Sequence, residues 1–323
     1  MIEITTTVKQ DKQLNAKKNV LATLAYFHMF DYPLRKREIF LFLGQEGDFD
    51  DMETVLEKLV AETAIYKLGE FYSLSSDFSL STRRRKGNAK ATRMLQMAGR
   101  VAAFISRFPF VRGVAVSGSL SKSFAGDTAD IDFFIITSAN RLWIARTFLH
   151  LFKKVSFLLQ MQHYFCMNYF VDEAAPEIIE KNIYTAIEVT TLLPLRGKSS
   201  FEKFFSANEW TKEFLPNNYT RISSAKQNRD NLLKTVVETF LSGRMGNTLD
   251  NFLMKLTAKN WAKKAKNLKK NSRGGLMGLK TAKHYAKPDP VNFQQKLLRF
   301  YQNSLAEIFN RYEYSLSANN ELH

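Results

Sequence analysis

A chain of 323 residues, 45% of them hydrophobic, is long enough for two or three domains and can bury substantial cores. Its single cysteine, Cys166, excludes an internal disulfide framework and zinc sites of the paired Cys-x-x-Cys type. The formal net charge of +16 is regional: residues 1–80 carry nine Lys/Arg against thirteen Asp/Glu, 81–200 carry seventeen against eight, and 201–323 carry twenty-one against ten. A polyanionic partner therefore fits the last two regions and not the first.

Residues 17–75 read as three helices and a hairpin. Val20, Leu21, Leu24, Ala25 and His28 share one helical face, Pro33 interrupts, and Arg35 to Leu43 forms a short second helix. Asp50 or Asp51 caps a third, which turns Met52, Val55, Leu56, Leu59 and Val60 inward. Two short apolar runs, 65–68 and 71–74, flank Gly69-Glu70, a pair suited to a tight turn. This order resembles a winged helix-turn-helix domain, which we bound at 1–80. DNA binding by it is disfavoured, because the segment 48–62 has six acids and only Lys58 as a base, and acids are repelled by phosphates.

Arg83-Arg84-Arg85-Lys86 reads as a solvated linker, and 88–107 as an amphipathic helix. A strand ends at Ser117, a second spans 130–137, and Ser138 or Asn140 caps a long helix to about residue 160. That apolar region is broken by Arg146, His150, Lys153 and Lys154, which suits a buried helix and not a membrane span. The first residues lack the basic start and apolar core of a signal peptide, so no transmembrane segment and a cytoplasmic location are expected. Residues 163–171 are aromatic and strand-like, and 178–192 helical. The expected fold is α+β: a small mixed sheet backed by helices over 81–198, then a basic region, 199–323, helical throughout.

The chemistry concentrates at Gly118-Ser119 and, ten residues on, Asp130-Ile131-Asp132. Residues two apart in a strand point the same way, about 6.6 Å apart. Asp130 and Asp132 thus share a face, and two neighbouring carboxylates repel unless a cation lies between them. Oxygen ligands favour Mg2+ or Mn2+. Gly118 lets backbone approach a triphosphate, Ser119 can donate a hydrogen bond to it, and Lys122 can reach it as a point charge. A nucleoside triphosphate held through metal is the ligand this combination predicts.

These residues resemble the signature of nucleotidyltransferases related to DNA polymerase β: an apolar residue, Gly and Gly or Ser, then nine to thirteen residues to Asp-x-Asp/Glu in a strand. The resemblance covers about residues 100–195. It implies a mixed-sheet core, magnesium, and transfer of a nucleoside monophosphate from a triphosphate to an unidentified acceptor, with metal held by Asp130 and Asp132. It also implies a third carboxylate, the general base, in the middle of a following strand. Asn168 stands there, and an asparagine carbonyl can ligate but cannot take a proton. Asp172, four residues on and on the same strand face, is the preferred catalytic substitute, ahead of Glu188 on the next helix. If Asn168 fills the third place, a nucleotide- or nucleic-acid-binding protein of weak catalysis is the alternative.

Arg141 and Arg146 are placed near this site, where a solvated helix face explains them equally well. The five histidines show no zinc-ligand spacing, and no Gly-x-Ser-x-Gly elbow or Gly-Lys-Ser/Thr phosphate loop is present. Residues 251–288 hold eleven Lys/Arg and no acid, so RNA or another polyanion is a candidate partner there, through Lys263, Lys264, Lys266, Lys269, Lys270 and Arg273, with Trp261 for stacking.

Overall fold

The computed structural model describes residues 2–158, 166–218, 225–228, 231–267, 278–288 and 293–320. His163 and His323, with Lys269, Lys270 and Arg273, lie outside the described residues. The first layer contains α1 (Ile2–His28), α2 (Lys36–Phe42), α3 (Phe49–Ala61) and the hairpin β1 (Tyr66–Leu68) and β2 (Phe71–Ser73). Gly69 turns the hairpin at a φ of 71°, where a side chain is disfavoured. Asp48, not Asp50 or Asp51, caps α3, its carboxylate accepting from the backbone N–H groups of both. Helix α3 buries Met52, Val55, Leu56 and Leu59, as its spacing predicts.

Helix α4 (Ser79–Ile105) replaces the expected linker. Arg83 to Lys86 lie in its first two turns, and Arg84 is 1% exposed. Its guanidinium donates to Pro33 O, Glu38 Oε1 and Asn88 Oδ1 and lies 3.6 Å from the Tyr32 ring centroid. The arginine is a buried fastening between the first layer and α4, satisfied on all sides, which is why it tolerates removal from water.

The central sheet comprises β3 (Val111–Val116), β4 (Asp132–Thr137), β5 (Cys166–Asp172), β6 (Leu193–Arg196), β7 (Leu279–Thr281) and β8 (Tyr285–Pro288), in spatial order β6-β3-β4-β5-β8-β7. Strands β4 and β5 run parallel; the other neighbours are antiparallel. The C-terminal region is therefore not helical throughout, since it supplies two strands of the sheet. Both faces are covered. Val114, Val116, Phe133 and Ile135 pack with α4 and with α6 (Leu142–Leu158). Ala115, Phe134 and Ile136 pack with α7 (Ile183–Thr190), with α8 (Lys198–Ala207) and with the first layer. A strand buried on both sides needs continuous apolar sequence, which Phe133-Phe134-Ile135-Ile136 provides.

A 3-10 turn, Glu209–Glu213, and the helices α9 (Leu232–Phe240), α10 (Arg244–Lys266) and α11 (Phe293–Asn320) complete the chain. Helix α10 packs on α6, and α11 packs on α1.

Candidate functional site

Pairing of β3 with β4 brings the Gly-Ser turn to Asp132. Ser117 N donates to Asp132 O at 2.9 Å, and Gly118 follows with a φ of 70°. A Cβ on Gly118 would stand 3.1 Å from Asp132 Oδ2. Glycine is required here twice over, by the backbone conformation and by the approach to the carboxylate. Residues Gly118–Ser121 then make one helical turn, labelled α5 in chain order. Ser119 is exposed on that turn.

Asp130 and Asp132 are both half-buried, flanking the fully buried Ile131. On the neighbouring strand Asn168 Nδ2 donates to Asp132 Oδ1 at 2.5 Å, and the Cys166 thiol donates to Asn168 Oδ1 at 3.1 Å. The β4–β5 register slips between Phe133 and Phe134, pairing them with Met167 and Tyr169 and leaving Asn168 as the extra residue. Such irregularities re-aim side chains beside active sites. Burial first, and then the charge of Asp132, push the Cys166 thiol up to about 11, so it stays a neutral neighbour of the carboxylate.

Lys122 is committed. Its ammonium donates to Gly118 O at 3.1 Å and to Glu188 Oε1 at 2.8 Å. Its carbonyl accepts from the Tyr32 hydroxyl, so the turn is also tied to the first layer. Glu188 and Tyr184 lie four residues apart on α7, one face of the helix. Burial, then Glu188 and Asp132, hold the Tyr184 hydroxyl far above the ordinary tyrosine range. The sequence ranked Glu188 below Asp172; its ion pair with Lys122 brings it to the Gly-Ser turn.

Asp172 does not join this cluster. It pairs with Thr137 at the far end of β4, whereas Asp132 pairs with Cys166. Some five residues of strand separate the two carboxylates, roughly 16 Å. Asp172 is fully buried, accepting from the N–H groups of Asn140, Ala174 and Ala175 and lying 2.9 Å from His284 Nδ1. Equal strand face did not mean equal strand end.

Arg141 and Arg146 are likewise elsewhere. Arg141 is buried, donating to Leu241 O, Asn247 Oδ1 and Ser242 O. Arg146 lies over the rings of Trp143 and Phe170, and burial lowers it to about 10. In the basic region, Lys287 and Lys280 pair with Glu180, and Lys264 lies 4.7 Å from the Trp261 ring centroid. The described residues of 251–288 are divided among α10, β7 and β8 and do not form one basic helix.

Among the described residues no group of three or more His, Cys, Asp or Glu is placed to hold a metal ion. The Asp132 carboxylate beside a glycine, with Asp130 two residues before it in the chain, nevertheless fits magnesium, which is ordinarily held by one or two carboxylates plus substrate phosphates and water. No helix of the described residues is long and apolar enough to cross a membrane. No family model matches the chain, and no curated protein or solved structure matches it.

Proposed function

We propose that the chain binds a nucleoside triphosphate through a divalent cation at Gly118, Ser119, Asp130 and Asp132, and transfers its nucleoside monophosphate to an acceptor with release of pyrophosphate. The observation that carries this reading is the contact between Gly118 and the Asp132 carboxylate, made by residues fourteen apart in sequence. Asp130 and Asp132 would hold Mg2+ or Mn2+. The bound cation supplies charge stabilisation at the phosphorus under attack. Ser119 donates its hydroxyl to a phosphate oxygen, and the glycine lets the backbone approach. Lys122, by its ion pair, positions Glu188 beside the turn to take the proton from the acceptor hydroxyl.

A second reading, binding without turnover, is favoured by Asn168, which donates to Asp132 where a third carboxylate would otherwise ligate and act as base. One experiment separates the two. The protein is incubated with Mg2+ and each nucleoside triphosphate, following pyrophosphate release and the shift in melting temperature. Release that falls about 100-fold in Glu188→Gln supports transfer. A melting shift without release supports binding alone. Neither signal with any triphosphate overturns both.

A further inference from the structure

Helix α9 is inside out. Leu232, Leu233, Val236 and Phe240 are 82%, 73%, 57% and 71% exposed. The lysine of the same helix is buried: Lys234 is 1% exposed, and its ammonium donates to Ser106 O and Val111 O at 3.2 and 3.0 Å. Glu238 forms a bidentate pair with Arg112 and accepts from Phe110 N at 2.6 Å. Surface helices ordinarily do the reverse, burying the apolar face and solvating the charges. Turning α9 over would strand Lys234 and Glu238, so polar anchors on the inner side hold the apolar face outward.

Helix α10 continues the pattern after a turn at 241–243. Met245, Phe252, Leu256, Lys259 and Lys263 are exposed and recur at intervals of seven, four, three and four, which puts them on one face. Its first half is apolar and its second half basic, with Lys255 and Lys266 exposed beside it. The opposite side faces the protein, where Asp250 accepts from Ile144 N at 2.9 Å and Asn247 Oδ1 accepts from Arg141.

We propose that α9 and α10 form a docking surface for an anionic lipid bilayer. Leucine and phenylalanine enter the boundary between headgroups and acyl chains, while the lysines that follow meet the phosphates. Charge selects this occupant. The second half of α10 carries Lys255, Lys259, Lys263, Lys264 and Lys266 and no acid, so a second copy would bring like charges together. A nucleic acid answers the lysines but gives Leu232, Leu233 and Phe240 nothing to bury against. Apolar residues on one side with Lys/Arg beside them are the chemistry of interfacial helices. The inference is independent of the nucleotide reading.

The full-length protein is tested by co-sedimentation with vesicles of phosphatidylcholine alone and of phosphatidylcholine with phosphatidylglycerol. Binding at least about tenfold stronger to the anionic vesicles is expected, weakened by salt. The double variant Leu233→Ser/Phe240→Ser should lose that binding with an unchanged melting temperature, since both side chains are solvent-exposed. Lys259→Gln/Lys263→Gln should lose the preference for anionic lipid. No binding to anionic vesicles overturns the proposal. So does concentration-dependent self-association abolished by the serine variant, or RNA binding that outcompetes the vesicles and ignores that variant.

Discussion

Asp132 and Asp172 sit at opposite ends of one pair of parallel strands, and they are held in different ways. Asp172 is sealed: three backbone N–H groups and His284 Nδ1 surround it, and no part is exposed. It ties the exits of β4 and β5 to the turn between β7 and β8. Asp132 is half-buried, with a side-chain amide on one oxygen and the Gly118 backbone against the other. A carboxylate satisfied by fixed amides stabilises the fold. One bordered by a glycine and side chains can exchange its partners for a ligand. Residue type alone does not distinguish them; position along the strand does.

The largest expected effect is at the sealed end. Asp172→Ala leaves buried donors without an acceptor and should lower unfolding stability by about 3–5 kcal/mol in urea titrations. Its response to Mg2+ and nucleotide should survive; a stable variant that had lost the response would invert the comparison. At the open end, Asp132→Asn should reduce triphosphate turnover or affinity by roughly 100-fold. Its melting temperature without ligand should stay near that of the parent.

Asn168→Asp sharpens the contrast. It replaces a hydrogen bond to Asp132 with a like charge and should cost about 1 kcal/mol of stability in chelator. Added Mg2+ should recover that loss and raise any pyrophosphate release; a cation-independent variant would argue against a metal site.

The smallest effect concerns pH at the sealed end. Burial, with Asp172 adding to it, pushes buried Asp250 up to about 6. The folded state then keeps this proton to higher pH than the unfolded state. The penalty is absent below pH 4 and complete above pH 6, so stability should fall as pH rises through that window. Asp250→Asn should flatten this dependence, read from urea midpoints between pH 4 and 7.

Local signals in the sequence are legible. The spacing of Met52, Val55, Leu56 and Leu59, the Gly69 turn and the Phe133–Ile136 run each belong to one element, and each is found. The signals that failed depend on distant partners. Arg84 looks like a linker residue until Tyr32, Pro33 and Glu38 surround it. Strands β7 and β8 are only three and four residues long, too short to show a period of two, and they become strands because β8 pairs with β5 and β7 with β8. At the site, the motif named Gly118, Ser119, Asp130 and Asp132, and Gly118 does meet Asp132. It missed the direction of Asp172 because side-chain parity says nothing about strand ends. A register slip such as that at Asn168 is equally silent in sequence.

The antiparallel pairing of Phe170 with Ala286 and Val171 with Tyr285 also governs timing. More than a hundred residues separate the partners, on the order of ten seconds of synthesis at ordinary ribosome speeds. Through that interval β5 is an open sheet edge with an apolar sequence, the arrangement most prone to pair with another chain. The segment from β7 onward therefore acts as a latch on its own sheet. A chain stopped at residue 278 should accumulate as aggregates, whereas the full-length chain should refold without them.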